Sequence, residues 1–126
     1  MGNSKFYISK NAKDFIDSLK VSLEINDTPT VIKLALAKGL SSLSSPMSIE
    51  KVDNSNGQWL VPENIIKDRE YLLFKHLIIN EYNNLISDHD INKYFAFLIE
   101  KGTEELKQLN INKASLEDLR TTIFTS

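Results

Sequence analysis

The 126-residue chain has no cysteine, which excludes disulfides and thiolate metal sites outright. Glycine and proline are scarce, at four and three residues, and no glycine-rich phosphate loop is present. Neither GxGxxG nor a Walker loop occurs, and HExxH and GxSxG are also missing. The sequence is therefore expected to be non-catalytic and to need no cofactor. No run approaches the ~18 apolar residues of a membrane span. The opening MGNSKFYISKNAKDF lacks the apolar core of a signal peptide. MGNSKF does fit the loose N-myristoylation pattern, which is short enough to arise by chance. The expectation is a soluble cytoplasmic protein with no membrane partner.

What is present fits one globular domain. Hydrophobic residues make up 41% and charged residues 25%, both ordinary for a folded chain of this length. The net charge of −2 is unevenly spread: six lysines face four acids in residues 1–40, and eight bases face eleven acids in residues 63–126. An acidic chain does not bind polyanions over its whole surface. Contact with nucleic acid would fall to a local patch near the N-terminus.

FYIS (6–9) alternates as a short strand, with Phe6 and Ile8 on one side and Tyr7 and Ser9 on the other. Ser9 then caps a helix over about 10–24, whose Ala12, Phe15, Ile16, Leu19 and Leu23 keep i, i+3, i+4 spacing. A second helix, about 29–43, starts with Thr28 as N-cap and Pro29 at the first position. Residues 44–62, rich in Ser and Asn, form a loop with Trp59 as its large anchor. A third helix, about 64–86, carries Tyr71, Phe74, Ile78, Tyr82 and Leu85 in one stripe, with Leu73 and Leu77 beside it. Ser87 caps a fourth, about 88–108, facing inward with Ile91, Tyr94, Phe95, Leu98 and Leu106. A short weaker helix is expected at about 114–120, within a 110–126 tail that matches no motif. The fold class is all-α with four main helices.

The second helix is unusually oily. Between Val31 and Leu40 only Lys33 and Lys38 are charged, and a small chain has little interior to hide such a surface. Leu36 and Leu40, with Phe97 and Ile99 off the main stripe of helix four, are candidates for burial between copies. At roughly 25 cal/mol per Å² of apolar area, a few such side chains are worth several kcal/mol. Gly39 and Gly102 each cost about 1 kcal/mol inside a helix, which makes sense where backbones approach closely. A homo-oligomer is the expected state.

The chemistry-bearing residues are few. SDHD (87–90) offers several metal-ligand types, yet Ser87 as N-cap with Asp88 and Asp90 in the first turn is ordinary helix-start chemistry. His76 has no visible nucleophile or acid partner. Lys10, Lys13 and Lys20 share the polar face of helix one, with Lys5 before the strand and Lys33 and Lys38 on helix two. They read either as a solvated face, Lys13 and Asp17 forming an i, i+4 pair, or as phosphate contacts that release counterions. A symmetric oligomer would multiply them.

Strand, helix, TP turn and apolar helix together resemble the start of ribbon–helix–helix DNA binders. A longer resemblance is carried by YISK (7–10), SLK (18–20), TPTV (28–31), Trp59 and FLIEKGTEEL (97–106). In order and spacing these resemble the DndE family, the small helical component of bacterial DNA phosphorothioation (sulfur modification) machinery. The resemblance implies an all-α homotetramer, ribbon–helix–helix-like at its start, that binds double-stranded and particularly nicked DNA through lysines. It implies other Dnd proteins as partners and carries Lys10 and Lys20 onto the binding face. Asp17, where a base would serve better, departs from it. A ribbon–helix–helix repressor and a scaffold that binds only protein are the alternatives.

Overall fold

The computed structural model describes residues 2–43 and 55–112, with side chains to 109. The expected loop 44–62 falls mostly, and the expected helix 114–120 wholly, outside the described residues. The element order is β1 (Phe6–Ser9), α1 (Lys10–Ser22), α2 (Thr28–Ser41), β2 (Gln58–Val61), α3 (Asp68–Tyr82) and α4 (Ile91–Asn112). The chain is mostly helical, in rough agreement with the all-α expectation, and adds one small two-stranded antiparallel ribbon. β1 pairs with β2 in the register Phe6↔Val61, Tyr7↔Leu60, Ile8↔Trp59, Ser9↔Gln58. Trp59 thus belongs to a strand and not to a loop. Gly57, at φ +104, turns the chain into β2 through a conformation that suits glycine.

Local chemistry sets the boundaries. Ser9 caps α1 as expected, its Oγ accepting from the Ala12 amide at 3.1 Å. α2 begins one residue earlier than expected, so Asp27 and not Thr28 takes the N-cap position, with Pro29 in the first turn. Asp27 accepts from the Thr30 hydroxyl at 2.5 Å. α3 stops at Tyr82 because Asn83 adopts a left-handed conformation, φ 50, a favoured way to end a helix. Leu85 is therefore swung out of the expected stripe and is 90% exposed, while Ile86 is buried. Ser87 accepts from the Asp90 amide at 3.2 Å in the turn that precedes α4.

α4 is the axle of the molecule, packing chiefly against α2 and also against β1 and α1. Ile91, Phe95, Leu98 and Leu106 are buried as expected. The oily α2 buries Val31, Ile32, Ala35, Leu36 and Gly39 against it. Contact there is backbone to backbone. A methyl group at Gly39 would lie 2.0 Å from the Leu98 carbonyl oxygen, and one at Gly102 would lie 1.7 Å from that of Ala35. The glycines do mark a close approach, but between helices of one chain. Leu36, Phe97 and Ile99, expected at a contact between copies, are buried within the chain; Leu40 is half-buried. Phe97 and Ile99 are covered despite lying off the main stripe because α4 has neighbours on several sides. Three of the four apolar groups that suggested a second copy thus find cover within the chain, and Leu40 finds it in part.

α3 is seated differently. Tyr71 and Ile78 are buried, whereas Leu72, Leu73 and Leu77 are exposed. The Tyr71 ring meets Phe95 edge-on at 6.0 Å. Among the described residues no helix is long and apolar enough to cross a membrane.

Candidate nucleic-acid interface

The ribbon and α1 carry four of the six candidate lysines, and their seating begins with Asn3. This buried side chain donates to the carbonyls of Ser4 and Pro62 at 2.9 and 3.0 Å and accepts from the Ile66 amide at 2.9 Å. Its backbone also bonds to Ile66 and Asn64. Four of these bonds, all but the local one to Ser4, pin the chain before β1 onto the segment after β2, and a bridge from Gly2 to Lys67 extends the pairing. At the other end of the ribbon the Lys10 amide donates to the Gly57 carbonyl at 2.9 Å.

Where β1 becomes α1, Ser9 donates its hydroxyl to the Glu100 carboxylate of α4. α1 has no acid in its own first turn, and Glu100 supplies one from outside. This geometry works as a capping box whose acid comes from another helix. Burial is the main influence on Glu100 and pushes its carboxyl above the ordinary range, while the Ser9 bonds pull it back.

The ribbon has two unlike faces. Phe6, Ile8 and Val61 point inward and are buried, Phe6 lying 6.2 Å from the Phe95 ring. Tyr7 and Leu60 oppose each other on the outer face and are 54% and 37% exposed. Lys5, two residues before Tyr7, is exposed and ion-pairs with no described acid within 4 Å.

The lysines of α1 differ in freedom. Lys10 is exposed and sits 3.3 Å from Asp14, itself exposed, an arrangement worth a few tenths of a kcal/mol. Lys13 is committed elsewhere: its ammonium is 2.6 Å from Asp17 and 4.7 Å above the Trp59 ring. Lys20 lies in the last turn of α1, beside a shallow hollow lined by Asp17, Val21, Glu24 and Ile25. Lys33 is spent on Glu70 at 3.0 Å, tying α2 to α3. Lys38 lies half-buried in the last turn of α2. Lys5, Lys10, Lys13 and Lys20 thus follow the ribbon and α1, while Lys33 and Lys38 sit on the neighbouring helix.

The SDHD segment is occupied with structure. Asp88 accepts from the Tyr71 hydroxyl and from Lys75, each at 2.7 Å. The Lys75 bond, followed by that from Tyr71, holds the Asp88 carboxyl below its ordinary value. Burial, reinforced by Asp88, pushes the Tyr71 phenol up to about 12. Asp90 instead faces Ser87 and Lys93. Among the described residues no three His, Cys, Asp or Glu side chains gather as a metal cluster.

Three residues of this region escape a reading by helical period. Asn3, Glu100 and Leu60 each act across the chain, and only QWLV, short and alternating after a glycine turn, offered a signal. No family model matches the chain, and neither the curated proteins nor the solved structures contain a match.

Proposed function

We propose that this protein is a non-catalytic, cytoplasmic DNA-binding component of a bacterial phosphorothioation complex. It grips double-stranded DNA, nicked DNA in particular, by lysine–phosphate contacts. The observation that carries this reading is the succession of lysines from exposed Lys5, just before β1, through exposed Lys10 to half-buried Lys20 on α1. Phosphate contacts of this kind position a duplex without reading its bases. The exposed pair of Lys10 with Asp14 gives way cheaply to a phosphate. Lys13 contributes less, because Asp17 and Trp59 already hold it. A nick makes the duplex a flexible joint that follows a protein surface.

The assembly is a homo-oligomer, a tetramer by its resemblance to the DndE family, with other Dnd proteins beside it. Its contact surface is reassigned from Leu36, Phe97 and Ile99 to the exposed Leu72, Leu73 and Leu77 of α3. The order β1–α1–α2 keeps the ribbon–helix–helix repressor as a second reading. In that family the strand pairs with a partner's strand, whereas β1 is already paired with β2 on one edge. Reversing charge at Lys10 and Lys20 together should abolish retardation of nicked duplex at moderate salt. It should also lower the slope of log K against log salt by about 2. Unchanged affinity and slope in that variant would remove the phosphate-contact reading.

A further inference from the structure

We infer that Tyr7 and Leu60 form a platform on which an unpaired nucleobase of the bound DNA stacks. This rests on the DNA-binding reading above and names the part of the DNA that the ribbon takes. Tyr7 is the one exposed residue among the described phenylalanines, tyrosines and tryptophans. Val21, Leu73 and Leu85, also exposed, lack a π-face. Directly opposed residues of an antiparallel pair stand about 4.5–5.5 Å apart at Cβ, so Tyr7 and Leu60 present one continuous apolar surface.

That surface is held still. The opposite face of the ribbon is buried by Phe6, Ile8 and Val61, Asn3 staples one end, and the Lys10–Gly57 bond closes the other. An aromatic on a fixed strand loses little freedom when a base settles on it. Charge favours a nucleic acid here, since Lys5 precedes Tyr7 by two residues and Lys10 follows it by three. The acids around it are Asp14, held by Lys10, Glu100, largely buried against Ser9, and Glu63, beyond β2 and Pro62.

The unpaired state of the base follows from geometry. In a continuous duplex both faces of each internal base are covered by neighbours. A nick with a displaced nucleotide, a gap or a strand end uncovers one. Lysines alone suffice for a duplex backbone; an exposed tyrosine that falls between Lys5 and Lys10 in the sequence adds a contact that only an open stack can use. Base–aromatic stacking is worth ~1–3 kcal/mol per base, or about 5- to 150-fold in affinity.

The test compares two probes of equal length: a continuous duplex, and a nicked duplex carrying one unpaired 2-aminopurine at the nick. Tyr7→Thr keeps the strand preference and removes the ring, whereas Tyr7→Phe keeps the ring. Tyr7→Thr is expected to lose about 5-fold or more on the nicked probe and nothing on the continuous one, with loss of 2-aminopurine quenching. Tyr7→Phe is expected to match the parent. An equal loss on both probes, or no loss on either, overturns the platform. A fall in particle mass with unchanged DNA binding overturns it too, since a sister copy then covers the face. If the parent binds neither probe at low salt, the DNA-binding reading fails first and takes the platform with it.

Discussion

α2 and α3 are both leucine-rich helices of similar length, yet they are held by different means. α2 meets α4 at a crossing where Gly39 and Gly102 leave no room for a Cβ, and its apolar face is covered. α3 has two buried anchors, Tyr71 and Ile78, and is otherwise tied by polar links: Lys33 to Glu70, and Tyr71 and Lys75 to Asp88. Its leucines remain in water. Hydrophobic content alone therefore does not decide burial. The small residues that let two backbones close do, because close packing turns apolar area into contact.

Breaking the α2–α4 side of this contrast should have the largest effect. Gly102→Ala gains helix propensity of about 1 kcal/mol, but its methyl group would fall 1.7 Å from a backbone oxygen that cannot step aside. Overpacking typically costs about 1–3 kcal/mol, and more when backbone must shift. We expect a net loss of about 3 kcal/mol in urea unfolding, a large share of the stability of about 5–15 kcal/mol typical of a small domain. A net cost below about 1 kcal/mol would mean that the two helices part easily, and the contrast with α3 would vanish.

Acid should sharpen the comparison, because the two polar junctions respond with opposite signs. Asp88 titrates below its ordinary value in the folded protein. Its contribution is present above about pH 4 and is lost as the pH falls further. Glu100 titrates above its ordinary value, so the folded state binds its proton more readily than the unfolded chain, and acidification through that range adds stability. Asp88→Asn should therefore flatten the loss of stability below pH 4. Glu100→Gln, which keeps an acceptor for Ser9, should remove the gain on mild acidification. Thermal melts from pH 3 to 7 read both, and matching shifts in the two variants would contradict the assignment.

Much of the helical layout was legible in the sequence, for a specific reason: Ala12, Ile16, Leu19 and Leu23, or Ile91, Phe95 and Leu98, repeat at the period of a helix with one buried face. Ser9 as a cap was equally legible. β2 was not, because QWLV is four residues long and gains its strand identity only from pairing with FYIS. Burial of Phe97 and Ile99 was hidden for a related reason, since periodicity assigns one inward face and α4 has several. At the candidate interface the lysines were visible as charges, but their freedom was not. Only the fold shows that Lys13 is locked over Trp59 and Lys33 is bound to Glu70. Asn3 and Glu100 act through partners about sixty and ninety residues away, beyond the reach of any local pattern.

The smallest effect on stability is expected where α3 faces water, and there it tests assembly. Leu73 and Leu77 are 57% and 41% exposed and lie one turn apart, so replacing both with Lys removes little packing within the chain. Exposed substitutions of this kind usually stay within about 0.5 kcal/mol. If sister copies cover this face, light scattering should find the parent at a multiple of 14.4 kDa and the double variant at 14.4 kDa. An unchanged multiple would move the contact to another surface. A parent already at the single-chain mass would leave these leucines bare, and DNA would then meet only one set of lysines. That last result would weaken binding in a defined way, because fewer phosphate contacts mean a shallower dependence on salt.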